Sequence, residues 1–296
     1  MLASLPGFIR IPLVMLLIVG NVVVHTLPLF ALTLLKLLLP LRSWRRLCSA
    51  ALAAIAESWI GFNSALFDVF ARIRWHITGV GGLSRQGSYL VLCNHQSWID
   101  IPVLQKVFNR RIPLMRFFLK SQLIWVPLMG PAWWALDFPF MKRYSKQTLA
   151  RHPQLKGKDL EVTRRACEKF RDMPVTVMNF VEGTRFTALK HQQQGSAYRY
   201  LLRPRAGGVS YVLEAMGDAL QRVLDVTIVY PHGPHTLFDL IAGHVREVCV
   251  HVRELPVARE QIGHYESDAA FRERFQLWIN ALWAEKDARI GQMRSA

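Results

Sequence analysis

A short apolar run ends at a polar pair in the stretch Tyr89-Leu90-Val91-Leu92-Cys93-Asn94-His95-Gln96-Ser97-Trp98-Ile99-Asp100. The run predicts a buried strand, and the residues after Asp100 predict a helix. Residues five apart on a helix point about 140° away from each other, so His95 must lie in the turn before that helix for Asp100 to reach its ring. The spacing indicates a histidine base oriented by a carboxylate, or else a structural histidine beside a capped helix.

Further apolar runs alternate with helical patterns along the chain. Runs that predict strands cover residues 114–119, 135–140, 175–181, 223–230 and 247–252. Helical patterns cover residues 101–108, 154–170 and 207–220, and the Pro- and Gly-containing aromatic segment 125–134 predicts a loop. Strands that alternate with helices are typical of an α/β domain whose sheet is covered by helices.

The N-terminal part of the chain favours a membrane. Residues 11–35 carry no formal charge and are long enough to span about 30 Å of hydrocarbon, although a helix that lies in one leaflet is the alternative. Basic residues follow this stretch, so the positive-inside rule places the body of the protein in the cytoplasm. Residues 47–75 predict a second, amphipathic helix. We therefore expect membrane-associated helices over 1–75 and a cytoplasmic domain over 76–296.

Composition restricts the class of partner. Lys and Arg number 37 against 21 Asp and Glu, which gives a formal net charge of +16, and 51% of the residues are hydrophobic. A basic chain with an apolar N-terminus favours anionic lipid or phosphorylated substrates, and the chain carries no signature of nucleic-acid binding. The cysteines are Cys48, Cys93, Cys167 and Cys249, which form no C-x-x-C motif, so neither a zinc site nor disulfides are expected.

A second candidate motif is Phe180-Val181-Glu182-Gly183-Thr184-Arg185, at the end of a predicted strand. Gly183 allows a tight turn, and Arg185 presents a planar group that can hold a phosphate. Glu182 can hold Arg185 or another basic residue in place. The alternative is an ordinary turn with a surface ion pair.

Two further predicted strands end in basic residues, namely Lys120 and the pair Lys142-Arg143. Strand ends in an α/β sheet gather at one edge, so these side chains and Arg185 can form one anion site. The alternative is that they are solvated surface residues.

Together these motifs resemble the glycerolipid acyltransferase family, particularly its 1-acylglycerol-3-phosphate acyltransferases. The family pattern Asn-His-x-Ser-x-x-Asp is matched at 94–100, and Phe-x-Glu-Gly-Thr-Arg is matched at 180–185. The intervening lysine, proline and glycine are matched by Lys120, Pro127 and Gly130, and the last strand with its proline by 226–231. The resemblance covers about residues 85–235.

The resemblance implies an enzyme that transfers a fatty acyl group from acyl-CoA or acyl carrier protein to the free sn-2 hydroxyl of a lysophospholipid. The expected acceptor is 1-acylglycerol-3-phosphate, which would give phosphatidic acid at a bacterial inner membrane. His95 would be the general base and Asp100 its orienting partner, with no metal or cofactor. The residues expected to bind the acceptor are Lys120, Arg143, Glu182, Gly183, Thr184 and Arg185. Backbone N–H groups near Gly130 would stabilise the oxyanion.

The segment 136–143 departs from the Gly…Ile-Asp-Arg pattern that many relatives carry, although Arg143 fills the arginine position. In this respect the chain looks more like relatives that act on lysophospholipids with larger head groups, including lysocardiolipin. Lysophosphatidylglycerol and transfer between phospholipids without CoA are further alternatives. A membrane lipid-binding protein without catalysis is the alternative from another class.

Overall fold

The computed structural model describes residues 2–142, 151, 158–168, 170 and 173–295. Its strands are β1 Arg74–Thr78, β2 Tyr89–Cys93, β3 Met115–Phe117, β4 Leu119–Lys120, β5 Phe140–Met141, β6 Thr176–Phe180, β7 Arg222–Val229 and β8 Glu247–Pro256. The main sheet has six strands in the order β1-β8-β7-β2-β6-β3, and β4 and β5 form a separate pair. All neighbouring strands are parallel except β7 and β8.

Helices cover both faces of this sheet. They are α1 Gly7–Leu38, α2 Arg42–Phe70, α3 Asp100–Phe108, α4 Met129–Ala135, α5 Lys158–Glu168, α6 Ala188–Gln194, α7 Ala206–Met216, α8 Leu237–Ile241 and α9 Ala269–Ser295. Strand β2 is buried on both sides: Leu90 and Leu92 pack with α7 and α9, whereas Val91 and Cys93 pack with α3. The expected α/β architecture is confirmed.

Parallel pairing brings the carboxyl ends of β2, β6 and β7 to one edge of the sheet, which we call the catalytic edge. Strand β8 runs antiparallel to β7, and β1 runs parallel to β8, so β8 and β1 begin at this same edge. The polar residues that follow β2 and β6 therefore lie close together, as the sequence predicts.

The predictions for residues 125–140 are wrong. A helix, α4, occupies most of the expected loop, and of the expected strand 135–140 only Phe140 is in a strand. Pro131 is compatible with α4 because it falls in the first helical turn, where its missing N–H would have no helical partner.

The second N-terminal helix also differs from its expected bounds of 47–75. Helix α2 begins at Arg42 and ends at Phe70, and Arg74–Thr78 is an edge strand paired with β8. Trp75 and Ile77 are half-buried, whereas Arg74, His76 and Thr78 are exposed. This alternation is a strand signal, and residues 74 and 75 belong to β1 and not to the predicted helix.

The two N-terminal helices form a hairpin, because only residues 39–41 separate them and they pack against each other. Asn21 Nδ2 donates to Trp59 O at 3.1 Å and to Asn63 Oδ1 at 2.9 Å. Both helices are long and apolar enough to cross a membrane by length and composition. Helix α1 exposes apolar side chains along much of its length, namely Phe8, Leu16, Val19, Val24, Leu27, Leu34 and Leu38.

A buried lysine joins the C-terminal helix to the catalytic edge. The Lys286 side chain is fully buried, and its Nζ lies 2.5 Å from Asp225 Oδ1 and donates to Val226 O at 2.5 Å. It also lies 3.5 Å from Leu92 O, near the end of β2. Asp225 pairs with Arg253 as well, at 3.1 Å. This ion pair therefore ties α9 to the last residues of β2 and to β7.

We expect Lys286→Met to destabilise the fold, because it leaves a buried carboxylate with one partner fewer. Breaking a buried ion pair costs roughly 3–5 kcal/mol, and the loss should fall near the lower value because Arg253 still pairs with Asp225. Denaturant unfolding in detergent micelles measures it, with the exposed Arg274→Met on the same helix as control. Equal stability of the two variants would contradict the structural role of Lys286.

Candidate active site

Asn94 fixes the end of β2 and so the start of the site. Its side-chain Nδ2 donates to Ile228 O, and its Oδ1 accepts from the Ile228 N–H, both at 2.9 Å. Asn94 is fully buried. The amide side chain thus continues the pairing between β2 and β7 beyond the strand and holds the following turn in place.

The Asp100 carboxylate organises that turn. Its Oδ2 accepts from His95 Nδ1 at 2.8 Å and from the backbone N–H groups of Gln96 and Ser97 at 2.7 and 2.9 Å. Its Oδ1 accepts from the Tyr230 hydroxyl at 2.6 Å. Asp100 is fully buried, so these four donors replace the water that a carboxylate needs. The turn places His95 before α3, as the spacing predicts.

The His95 ring is fixed from a second side and remains accessible. It stacks on the Phe180 ring with centroids 3.9 Å apart, and 17% of its side chain is exposed. Because Asp100 accepts a hydrogen bond from Nδ1, the neutral ring carries its proton there and Nε2 is the basic nitrogen. The geometry provides an oriented base that can take a proton from a bound hydroxyl.

Glu182 holds the backbone of the same turn. Its Oε1 accepts from the His95 N–H at 2.8 Å, and its Oε2 accepts from the Leu202 N–H at 2.9 Å. Burial raises the pKa of Glu182 to about 7, although these two hydrogen bonds and the Lys286 charge oppose the rise. The expectation that Glu182 holds Arg185 or contacts substrate is wrong, because its side chain is fully buried beneath the turn.

Arg185 lies at the mouth of the site. Gly183 has φ +70°, a left-handed conformation that glycine adopts readily, and the turn brings Arg185 over the exposed Trp98 ring at 3.3 Å. Burial lowers the pKa of Arg185, and the Asp100 charge opposes this effect. Thr184 Oγ1 accepts from Lys190 Nζ at 2.7 Å. Arg185, Thr184 and Lys190 thus present polar groups beside the histidine.

The remaining predicted site residues are Lys120, Arg143 and Gly130. Lys120 is exposed at the end of β4, beyond the β3 edge of the sheet. Arg143 lies outside the described residues. The Gly130 N–H donates to Val126 O at 2.8 Å within the first turn of α4. It is therefore not available as the expected oxyanion donor.

Tyr230 carries no sequence signal of its contribution, because it is simply the last residue of the predicted strand 223–230. Burial and the neighbouring Asp100 carboxylate raise the pKa of Tyr230 well above 10, so its hydroxyl remains a donor. Cys93 next to the site is fully buried, and burial raises the pKa of its thiol well above 9, which excludes a reactive thiolate. Among the described residues, no group of His, Cys, Asp and Glu side chains could hold a metal ion.

The fold and the site are those of a class of enzymes in which an oriented histidine acts at the edge of an α/β sheet, beside a basic residue. The sequence model of the acyltransferase family matches residues 74–231, more than half of the chain. The chain therefore belongs to the acyltransferase family, and the family resemblance is confirmed.

Curated relatives and a solved structure agree with this assignment. Lysocardiolipin acyltransferase 1 of Gallus gallus is 25% identical over 250 residues, which are 80% of this chain and 61% of that protein. The 1-acyl-sn-glycerol-3-phosphate acyltransferase gamma of Homo sapiens is 27% identical over 180 residues, or 57% of this chain and 43% of that protein. The chain thus spans less than two thirds of the length of these relatives.

The crystal structure of the 1-acyl-sn-glycerophosphate acyltransferase PlsC from Thermotoga maritima has the same fold. The TM-score is 0.56 at 14% sequence identity, and the alignment covers 98% of this chain and 99% of that one. The N-terminal hairpin and the α/β domain are both within the aligned region.

The raised pKa of Glu182 predicts a pH-dependent stability. The folded state binds this proton more tightly than the unfolded chain, whose carboxyl has a pKa near 4.5. The contribution to stability is therefore complete below pH 4.5 and is lost as the pH rises through 7, by up to about 3 kcal/mol. Glu182→Gln cannot titrate, so its free energy of unfolding should lack this decline when both proteins are denatured between pH 4.5 and 7.5. Parallel pH profiles would contradict the prediction.

Proposed function

We propose that the protein transfers a fatty acyl group from a thioester to the free hydroxyl of a lysophospholipid at a membrane surface. The observation that carries this proposal is the His95–Asp100 pair, which is buried on the Asp100 side and accessible on the His95 side. Such a pair can activate a hydroxyl, and the neighbouring Arg185 suits a substrate with a phosphate.

In the proposed reaction the acceptor hydroxyl is the nucleophile. As its oxygen attacks the thioester carbonyl carbon, His95 Nε2 takes its proton, and Asp100 stabilises the imidazolium. The carbon–sulfur bond then breaks, and the thiolate leaving group receives the proton from His95. Base catalysis of this kind contributes roughly 10²–10⁴-fold, and an orienting aspartate contributes up to about 10⁴-fold in serine hydrolases. The chain itself supplies no nucleophile to this scheme, and the scheme uses no metal or cofactor.

Arg185 is the residue we propose for the acceptor phosphate. Its guanidinium carbon lies 3.3 Å from the centre of the Trp98 ring, and a guanidinium group can bind two phosphate oxygens through a pair of N–H groups. Thr184 and Gly183 shape the same turn. Lys120 and Arg143 remain candidates for an outer part of this site, and acyl-CoA or acyl carrier protein remains the donor.

The proposed setting is a membrane, with the catalytic domain on its cytoplasmic side. The exposed apolar residues of α1 support contact with lipid, and Trp125 and Trp134 are 85% and 52% exposed near the β4–β5 pair. Exposed tryptophans suit the boundary between hydrocarbon and head groups. Both ends of α1 contact the α/β domain, through Arg10 and Lys36, which supports a helix that lies in one leaflet. The cytoplasmic face of a bacterial inner membrane is the side we propose.

We propose 1-acylglycerol-3-phosphate as the acceptor, with phosphatidic acid as the product. Lysocardiolipin and lysophosphatidylglycerol form a second candidate class, supported by the similarity to lysocardiolipin acyltransferase 1 over 80% of the chain. A lipid-binding protein without catalysis is disfavoured, because the His95–Asp100 pair and its four-donor support are intact.

We expect His95→Ala to lower acyl transfer at least 100-fold while membrane binding stays intact, because the base is lost whereas Asp100 keeps three of its four donors. Transfer is measured with radiolabelled acyl-CoA, and binding by flotation with vesicles. The control His264→Ala removes an exposed histidine and should retain full activity. Equal loss of transfer and binding would mean that His95 is structural, and undiminished transfer would contradict the mechanism.

The acceptor is tested with a panel of 1-acylglycerol-3-phosphate, lysophosphatidylglycerol, lysocardiolipin and monoacylglycerol, each with acyl-CoA and acyl carrier protein donors. We expect Arg185→Gln to raise KM about tenfold or more for the acceptors that carry phosphate, because a hydrogen bond to a charged group contributes about 1.5–3 kcal/mol. Monoacylglycerol should be unaffected, as should the control variant Arg274→Gln. An equal effect on monoacylglycerol would exclude a phosphate contact.

A further inference from the structure

A basic cleft lies at the catalytic edge, away from His95. Its lining consists of Arg10 at the start of α1, Arg72 and Arg74 at the junction of α2 and β1, and Gly243 and Arg246 before β8. We call it the arginine cleft. It has a volume of about 440 Å³ and opens to the surface. Four arginines from three separate segments therefore line one space, which predicts affinity for an anion.

The backbone around this cleft is built to bring the arginines together. Gly243 has φ +67°, and a Cβ at this position would lie 3.1 Å from Arg10 Nη1. The Arg10 guanidinium donates to Ala242 O, so it rests on the short segment after α8. The Arg74 N–H donates to Arg246 O at 2.8 Å, which joins the other two segments.

Glu247 offsets part of the positive charge of the cleft. Its carboxylate accepts from Arg74 at 2.9 Å and thereby neutralises one of the arginines. The lining itself contains no carboxylate, and both Arg72 and Arg246 are exposed. Like charges that gather at this density favour a bound anion that can accept several hydrogen bonds, and a phosphate group has this property.

The cleft lies too far from His95 to hold the phosphate of the acceptor. Arg74 pairs in register with Glu247 at the start of β8, on the edge where β2 and β7 end. Strands β1 and β2 are three positions apart, or about 14 Å across the sheet, too far for one glycerol phosphate to contact both His95 and the cleft.

The segments that carry the arginines also carry exposed apolar side chains. Phe8 is 79% exposed one turn or less from Arg10, and Leu237 and Phe238 are 51% and 57% exposed on α8, just before Gly243. Arginines beside exposed apolar side chains suit the head-group layer of a membrane, where the charge meets phosphate and the apolar side chains reach the hydrocarbon.

We propose that the arginine cleft binds the phosphate of an anionic phospholipid that is not the acceptor. The bound lipid would hold the catalytic edge against an anionic leaflet. The inference rests on the membrane setting of the proposed function, and it does not depend on which acceptor His95 activates.

The test is vesicle binding by the full chain. Wild-type protein should bind vesicles of phosphatidylcholine with 30% phosphatidylglycerol more tightly than vesicles of phosphatidylcholine alone. In the variant Arg72→Gln/Arg246→Gln this difference in affinity should be about 25-fold smaller, at about fivefold for each basic residue. The variant should keep its affinity for phosphatidylcholine. The control Arg222→Gln/Arg259→Gln removes the same charge at the opposite edge and should retain the difference. The same difference in all three proteins would overturn the proposal.

Two further measurements identify the molecule that supplies the phosphate. If inorganic phosphate binds the wild type but not the cleft variant in calorimetry, while the vesicle difference is unchanged, the ligand is a free phosphate. If the cleft variant has a raised KM for acyl-CoA but not for acyl-dephospho-CoA, the cleft holds the donor. Either result would overturn the proposal.

The variant Arg72→Lys/Arg246→Lys keeps the charge and should retain most of the vesicle difference, which separates charge loss from misfolding. Loss of the difference in this variant as well, with an intact thermal transition, would overturn a charge-based site. Vesicle binding is measured without acyl donor. Absence of acyl transfer in the wild type would therefore contradict the proposed function without affecting the test of the cleft.

Discussion

The structure of the site depends on one buried carboxylate. Asp100 has no access to water, so every hydrogen bond it needs comes from protein donors: the His95 ring, two backbone N–H groups and the Tyr230 hydroxyl. The backbone donors belong to the turn between β2 and α3, whereas Tyr230 follows β7. Because a buried charge is costly when a donor is missing, this requirement fixes the turn, the ring and the neighbouring strand together.

A second buried carboxylate and the C-terminal helix support the same turn from behind. Glu182 accepts from the His95 N–H, and Lys286 donates to Val226 O within β7 and lies 3.5 Å from Leu92 O near the end of β2. The neighbouring Asp287 accepts from the Arg199 and Tyr200 N–H groups at 2.8 and 2.7 Å, and the Tyr200 carbonyl accepts from Gln96 Nε2 at 3.1 Å. The position of His95 therefore depends on residues that are far away in the chain. Lys286, for example, is 194 positions from Leu92.

The catalytic edge also brings the polar chemistry close to the apolar hairpin. Helix α1 is tied to the α/β domain at both ends, by Arg10 to Ala242 O and by the 3.0 Å ion pair of Lys36 with Asp137. A lipid-facing hairpin that is fixed to the sheet in this way would hold the site at a constant depth relative to the bilayer. Arg185 on one side of His95 and the arginine cleft on the other then form a basic surface along one edge, which is consistent with an acceptor that stays in the membrane.

Local patterns in the sequence predict the features that depend on neighbouring residues. The apolar run 89–93, the His95–Asp100 spacing and Gly183 are such patterns, and they correctly predicted the strand, the His95–Asp100 hydrogen bond and the tight turn. The distant groups that complete the site became visible in the folded structure alone. Tyr230 reaches Asp100 across 130 residues, Glu182 turns inward to backbone N–H groups, and the Gly130 N–H is used within α4. Hydrogen bonds between strands and helices that are far apart in the chain leave no periodic signal, because each partner is an ordinary residue in its own segment.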